Sequence, residues 1–197
     1  MVTSTDIGNT TTGELGLDAE FSKIAALYDP PSQSLTEMVR QVANRLELDV
    51  CSIYVLEADR QHVCLAATMG LNQDSVGHVR MQISEGLAGL VVEQSKPVSV
   101  ASASEHPRFK YFPEAGEERY SSFVGLPVTG SNGLQGVLTV QTIDARDFSR
   151  SELELIAAAA AALAPHVARC RLVEYAKTPT EPALTGTASR ESSDSAN

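Results

Sequence analysis

The sequence predicts an α+β domain, one antiparallel sheet with helices packed on it. Two hairpin signals and the order of the elements carry that expectation. An apolar run at 50–56 (VCSIYVL) is followed by a polar turn at 57–60 and a second apolar run at 63–69. Residues 123–128 and 134–142 repeat the arrangement around Ser131-Asn132-Gly133, a turn-forming sequence. The elements run helix, strand, strand, strand, helix, strand, long loop, strand, strand, helix.

Residues 1–18 are polar, rich in Thr and Gly, and expected to be disordered. A single folded domain is expected at 19–176. It opens with a short helix at 19–28 that Pro30 and Pro31 end. Ser34 is expected to start a stronger helix through a capping box with Glu37, each side chain satisfying an unpaired backbone N–H. Leu35, Met38, Val39, Val42 and Leu46 then share one face, and Arg40, Asn44 and Arg45 the other. The strand at 50–56 is apolar on both faces, which places it centrally.

Residues 79–83 (VRMQI) make a third strand, 85–94 a helix holding Gly86 and Gly89, and 97–100 a short edge strand. Glycines inside a helix imply close approach of a backbone or a ligand. Ser149 and Glu152 form a second capping box ahead of the last helix. In that helix Leu153, Ile156, Ala160, Leu163, Val167 and Cys170 recur at steps of three and four. Such a stripe either packs on the sheet or forms a seam with a second copy of the chain. Pro165 is expected to kink the helix near Ala161. Residues 177–197 are Thr, Pro, Ser, Ala and charge, and are expected to form a disordered tail.

Composition excludes several function classes. A net charge of -10 over 197 residues argues against nucleic acid and against acidic membrane surfaces, which both need a basic face. No apolar run approaches the roughly 20 residues of a membrane span. The N-terminus has neither the basic nor the apolar region of a signal peptide. Three cysteines, an odd number, suit a reducing compartment. A cytoplasmic protein is expected.

Cys51 and Cys64 fall on paired strands, with Cys64 expected opposite Val55 and Cys51 opposite Thr68. Their sulfurs then lie roughly 13 Å apart along the strand. A disulfide needs Cα atoms about 4.4–6.8 Å apart, so both are read as core thiols. His62 and Cys64 share a face but lack the second pair of ligands a structural zinc site requires. His106 is either a general base or the residue that starts the following loop by bonding backbone; no serine in a glycine elbow accompanies it. Gly86 and Gly89 fit neither the phosphate-loop nor the dinucleotide pattern. No cofactor, metal or catalytic constellation is expected, and the chain is not read as an enzyme.

The most informative stretch runs from Glu85 to Phe123. After its helix and short strand comes a loop carrying His106, Pro107, Arg108, Phe109, Lys110, Tyr111, Phe112 and Pro113, then Glu114, Glu117, Glu118, Arg119 and Tyr120. A long loop this rich in rings and charges reads as a binding lid. Arg108 and Lys110 suit a carboxylate, Arg108 in bidentate fashion. Glu114, Glu117 or Glu118 suits an ammonium, and Phe109, Tyr111, Tyr120 and Phe123 suit the walls. The set fits a small zwitterion or dicarboxylate. The alternative is a surface loop whose charges pair with one another while its rings anchor it to the core.

The order of elements resembles a GAF domain, a small-molecule sensing module. Cys51-Ser52-Ile53-Tyr54-Val55-Leu56, Ala67-Thr68-Met69-Gly70-Leu71, Glu85-Gly86-Leu87-Ala88-Gly89 and Gln135-Gly136-Val137-Leu138 are similar to its core segments. The HPRFKY run at 106–111, Pro113-Glu114, Gly116-Glu117-Glu118 and the SFVGLPV run at 122–128 resemble one branch, the GAF module of the nitrogen-related phosphotransferase system enzyme I. The resemblance covers roughly residues 35–163. It implies five or six antiparallel strands, helices on one face, and a pocket under the lid on the other. It also implies a sensor of glutamine or 2-oxoglutarate that regulates a phosphotransfer or kinase partner.

The binding residues expected from the pocket and the resemblance together are Glu85, His106, Arg108, Phe109, Lys110, Tyr111, Glu117, Tyr120 and Phe123. The sequence stops at Asn197 without phosphohistidine or phosphoenolpyruvate-binding domains, so the expectation is a free-standing sensor. A ligand-free module that docks on a partner and dimerises through the terminal helices is the alternative. GAF-type free methionine sulfoxide reductases use pocket cysteines, and no cysteine stands in this lid. The patterns of bilin-binding and cyclic-nucleotide-binding GAF domains are missing.

Overall fold

The two hairpins form the centre of the sheet. In the computed structural model, which describes residues 16–177 with side chains to Leu172, the first hairpin pairs β1 (Val50–Leu56) with β2 (His62–Met69). The second pairs β5 (Ser122–Gly130) with β6 (Gly133–Thr142) across the two-residue turn Ser131-Asn132. β1 and β6 pair antiparallel and join the hairpins. β3 (Arg80–Gln82) and β4 (Val98–Val100) are the short edges, so six antiparallel strands run β3-β2-β1-β6-β5-β4. Three-residue edges limit the unpaired backbone open to a foreign strand. The termini at 1–15 and 178–197, where disorder is expected, lie outside the described residues.

Strand alternation divides the apolar residues between two layers. Ile53, Val55, Val124, Leu126, Leu138 and Val140 face one side. There they meet α1 (Leu17–Leu27), α2 (Pro31–Arg45) and α4 (Arg150–Lys177). Leu35, Met38, Ile156 and Leu163 are among the fully buried side chains of that layer. Each stabilises the fold by about 1.5–3 kcal/mol relative to exposure. Tyr54, Leu56, Val63, Leu65, Phe123 and Val137 face the other side, beneath α3 (Gly86–Gln94) and the loop that follows β4.

The stripe on α4 is used within the chain. Ile156, Ala160, Leu163, Val167 and Cys170 are buried in the helix-side core, with Leu153 packed at its margin. The helix runs through Pro165 without a break. Arg150–Leu172 is long and apolar enough to cross a membrane, contrary to the expectation from run length. Half of its apolar window is buried against the rest of the fold, which is why a core helix carries this composition. The capping box ahead of it forms as expected: Ser149 Oγ accepts from the Glu152 N–H at 3.3 Å, and Glu152 accepts from the Ser149 N–H at 2.8 Å.

Two local expectations need correcting. α2 begins at Pro31, not Ser34. A proline suits the first helical position because its missing N–H has no partner to lose there. Ser34 therefore lies inside the helix and donates to the Pro31 carbonyl at 2.7 Å, while Glu37 pairs with Arg40 and Gln41. In the first hairpin, Cys64 does face Val55, but Cys51 faces Met69 instead of Thr68. Ile53 pairs with Ala67 and Tyr54 with Leu65, so Ala66 is the extra residue of a bulge that shifts the register by one. No disulfide joins the cysteines.

Candidate functional site

The pocket forms because β1, β5 and β6 send alternate residues toward the layer that α3 and the loop cover. On β6 these are Val137, Thr139 and Gln141; β5 adds Phe123, the cross-strand partner of Gln141, and β1 adds Tyr54, the partner of Val137. Gly89 lets α3 lie close to the sheet edge: a Cβ there would sit 2.6 Å from the Ile83 carbonyl oxygen. Between this floor and the loop is a cavity of about 30 Å³. Its floor holds Tyr54, Thr139 and Gln141, one wall is the first turn of α3, and Phe109, Lys110, Phe112 and Glu117 close it from the loop.

The polar groups differ between the two ends. Tyr54, Thr139 and Gln141 are buried, at 3%, 2% and 8% exposure. Gln141 Oε1 is buried without a hydrogen-bond partner. Burial pushes the Glu117 carboxyl up to about 7, against a hydrogen bond from the Gln141 side chain that lowers it, and the charge of Glu114 adds to the rise. Burial, followed by the charges of Glu117 and Cys64, holds the Tyr54 phenol well above its usual range. At the mouth, Lys110 Nζ pairs with Glu85 at 2.9 Å and lies 5.3 Å from the centre of the Phe112 ring. Glu85 stands at the N-cap of α3 but does not cap it with its side chain; it accepts instead from the Gln82 N–H. The first turn of α3, whose residues border the cavity, thus has no side-chain cap on its N–H groups.

Of the residues expected to bind, Phe109, Lys110, Glu117 and Phe123 line the cavity, and Glu85 flanks it through Lys110. The others hold the loop in place. Arg108 donates to Glu93 and to the Ile83 carbonyl. His106 Nδ1 accepts from the Arg108 N–H at 3.1 Å, as expected of a residue that starts the loop. Tyr111 bonds Glu118, and the Tyr120 hydroxyl donates to the Gly70 carbonyl at 2.7 Å. His62 pairs with Asp59 rather than joining Cys64, and Arg80 occupies the carboxylates of Glu57 and Asp59 beside it. None of the three cysteines lines the cavity, and burial pushes the Cys51 thiol far up.

Sequence reasoning missed Tyr54, Thr139, Gln141 and the first turn of α3. A signal was present for two of them: in VLTVQT, at 137–142, polar residues stand at alternate positions of a central, otherwise apolar strand. Polar residues on one face of such a strand mark a surface that meets something other than the core.

The sheet order and the helix layer define an α+β module with a loop-covered cavity, and the chain belongs to the GAF domain family, whose match spans residues 31–168. It is similar to the phosphoenolpyruvate-dependent phosphotransferase system protein of Escherichia coli (strain K12), 32% identical over 141 residues. That match covers 72% of this chain and 19% of the relative, so the chain spans about a fifth of the relative's length. A Nif-specific regulatory protein of Azospirillum lipoferum is 28% identical over 127 residues, covering 63% of this chain and 20% of that protein. Among solved structures, the GAF domain of an Acinetobacter phosphoenolpyruvate-protein phosphotransferase superposes with a TM-score of 0.68 at 36% identity, covering 82% of this chain and 96% of that one. The similarity to both phosphotransferase proteins is to a GAF module.

Proposed function

We propose that this chain is a cytoplasmic regulatory sensor. It binds a small carboxylate-bearing metabolite of the glutamine or 2-oxoglutarate kind and signals to a phosphotransfer or kinase partner in nitrogen regulation. The observation that carries this reading is the uncapped first turn of α3 beside Lys110, bordering a cavity with a polar floor. A helix N-terminus and an ammonium together favour a carboxylate. The names of the related proteins support the regulatory context. The cavity of about 30 Å³ is far smaller than such a ligand, so entry requires the loop to move outward. Loop position then becomes the signal, since a ligand shifts a protein toward the state it binds better.

Thermal unfolding against glutamine, glutamate, 2-oxoglutarate and cyclic nucleotides tests this. A ligand at a hundred times its dissociation constant adds about 2.7 kcal/mol. For a domain of this size the melting temperature then rises by roughly 5–10 °C. A flat response across the panel favours a second reading, a ligand-free docking module, which the small cavity itself supports. In that reading the terminal helices dimerise, and the exposure of Leu27 on α1 and Leu172 on α4 is the support for it. A reductase mechanism through cysteine finds no support at the cavity.

A further inference from the structure

The helix side of the sheet carries a larger opening, on the face away from the loop-covered cavity. It is a pocket of about 250 Å³ between the end of α2 and the first turns of α4. Leu48, Phe148 and Ile156, all buried in the helix-side core, line it with the half-buried Leu46 and Leu155. Leu155 stands off the stripe by which α4 packs into the core. An apolar cavity of about 150 Å³ already accepts a benzene ring, so this pocket has room for a leucine or phenylalanine side chain. Charge frames the opening. Arg45 pairs with Glu20, Arg146 with Glu152 and Arg150 with Glu154. Glu47, Asp49, Asp144 and Asp147, on the two connections that lead from α2 to β1 and from β6 to α4, are exposed and form no ion pair among the described residues. Asp49 joins these connections by accepting from the Ile143 N–H at 2.9 Å. The Leu48 N–H donates to the Ala43 carbonyl at 2.9 Å and closes the end of α2. That closure puts Glu47, at φ 52°, in the left-handed position that glycine usually fills. A carboxylate is kept there at a conformational cost that glycine would avoid.

We propose that this pocket docks a partner protein through a bulky apolar side chain flanked by lysine or arginine. The apolar group fills the pocket and the cation meets Glu47 and the neighbouring aspartates. Charge selects this occupant. A second copy of the chain carries a net charge of -10. Residues 1–15 hold Asp6 and Glu14 with no Lys or Arg, and residues 178–197 hold Glu181, Glu191 and Asp194 against Arg190. None of these complements an acidic rim, and the same rim repels nucleic acid and acidic membranes. The docking site is independent of what the cavity beneath the loop holds.

Selection of a randomised library of short peptides against the full chain tests the proposal, with the selected peptides synthesised and followed by fluorescence polarisation and hydrogen exchange. The expected result is enrichment of peptides that place Leu, Ile, Met or Phe next to Lys or Arg and that slow exchange at residues 46–48 and 148–156. Leu155→Glu, which puts a charge at the pocket wall, should weaken the tightest of them by about ten-fold or more. Glu47→Gly should weaken it by about three-fold while melting at or above the wild-type temperature, which separates a lost contact from a damaged fold. If Leu155→Glu does not fold, Glu47→Gly and the exchange pattern decide. No enrichment, enrichment of peptides without a cation, or protection confined to other surfaces overturns the proposal. So does binding at this pocket of a synthetic peptide of residues 1–15 or 178–197, or a change of oligomeric state in Leu155→Glu by sedimentation, since each gives the pocket a different occupant.

Discussion

Arg108 and Glu93 form an ion pair at 2.7 Å that ties the loop over the cavity to the outer side of α3. The second guanidinium nitrogen donates to the Ile83 carbonyl at 3.2 Å, so one side chain joins the loop, the helix and the turn before it. Arg108 was expected from the sequence as a ligand carboxylate's partner; in this structure a protein carboxylate holds it. The pair acts as a clasp on the loop whose displacement would open the cavity.

The clasp predicts a mobility change with little loss of fold. Glu93→Ala and Arg108→Ala should each destabilise by about 0.5–1 kcal/mol, the ordinary range for a solvent-accessible pair. Arg108→Ala should cost the more, because the bond to Ile83 is lost as well. Hydrogen exchange over residues 106–120 should speed up in both variants. Unchanged exchange in Glu93→Ala would show that the ion pair does not hold the loop.

Glu117 predicts a pH dependence of stability. Its folded-state value of about 7 stands above the ordinary 4.5, so the folded protein keeps a proton that the unfolded chain releases. Stability should therefore fall as pH rises from about 4.5 to about 7, by up to about 3 kcal/mol, and level off above. The groups around it are Glu114 and Lys110 in the loop, Tyr54 on β1 and Gln141 on β6. Glu117→Gln should flatten this part of the profile in chemical denaturation from pH 4.5 to 8. A profile identical to wild type would remove Glu117 as its source.

The cap of α4 predicts the opposite sign. Hydrogen bonds from the Ser149 side chain and backbone, then from Arg146, hold the Glu152 carboxyl at about 2, below its ordinary 4.5. Its contribution is present above about 4.5 and is lost as pH falls toward 2. Ser149→Ala should cost about 1 kcal/mol at neutral pH. Urea denaturation at pH 7 and pH 3 should show a smaller difference between wild type and variant at the lower pH.

Gly136 predicts a severe backbone effect. A Cβ at this position would lie 2.2 Å from the Tyr54 carbonyl oxygen on the paired strand. Gly136→Ala must separate β1 from β6 at the middle of the sheet, at a cost of about 2–3 kcal/mol. Because Tyr54 also forms part of the cavity floor, ligand binding should weaken along with the melting temperature. A variant that melts like wild type would mean that the two strands part without strain.

The sequence by itself determined the element order, both hairpins, the Ser149–Glu152 cap and the helical spacing of the core residues. These depend on contacts between near neighbours and on burial periodicity, which residue types report directly. It also marked the loop from His106 to Tyr120 as the cover of a pocket. Tertiary structure alone decided which loop residues face inward. Phe109, Lys110 and Glu117 do so, while Arg108, Tyr111 and Tyr120 bind Glu93, Glu118 and the Gly70 carbonyl. Glu93 and Gly70 become partners only once separate segments meet, Gly70 being fifty residues from Tyr120, while Glu118 is reached within the loop itself. The bulge at Ala66 and the polar floor of Tyr54, Thr139 and Gln141 were decided in the same way. Strand register and the facing of three strands onto one cavity are set by pairing across the sheet, which no local window of residues contains.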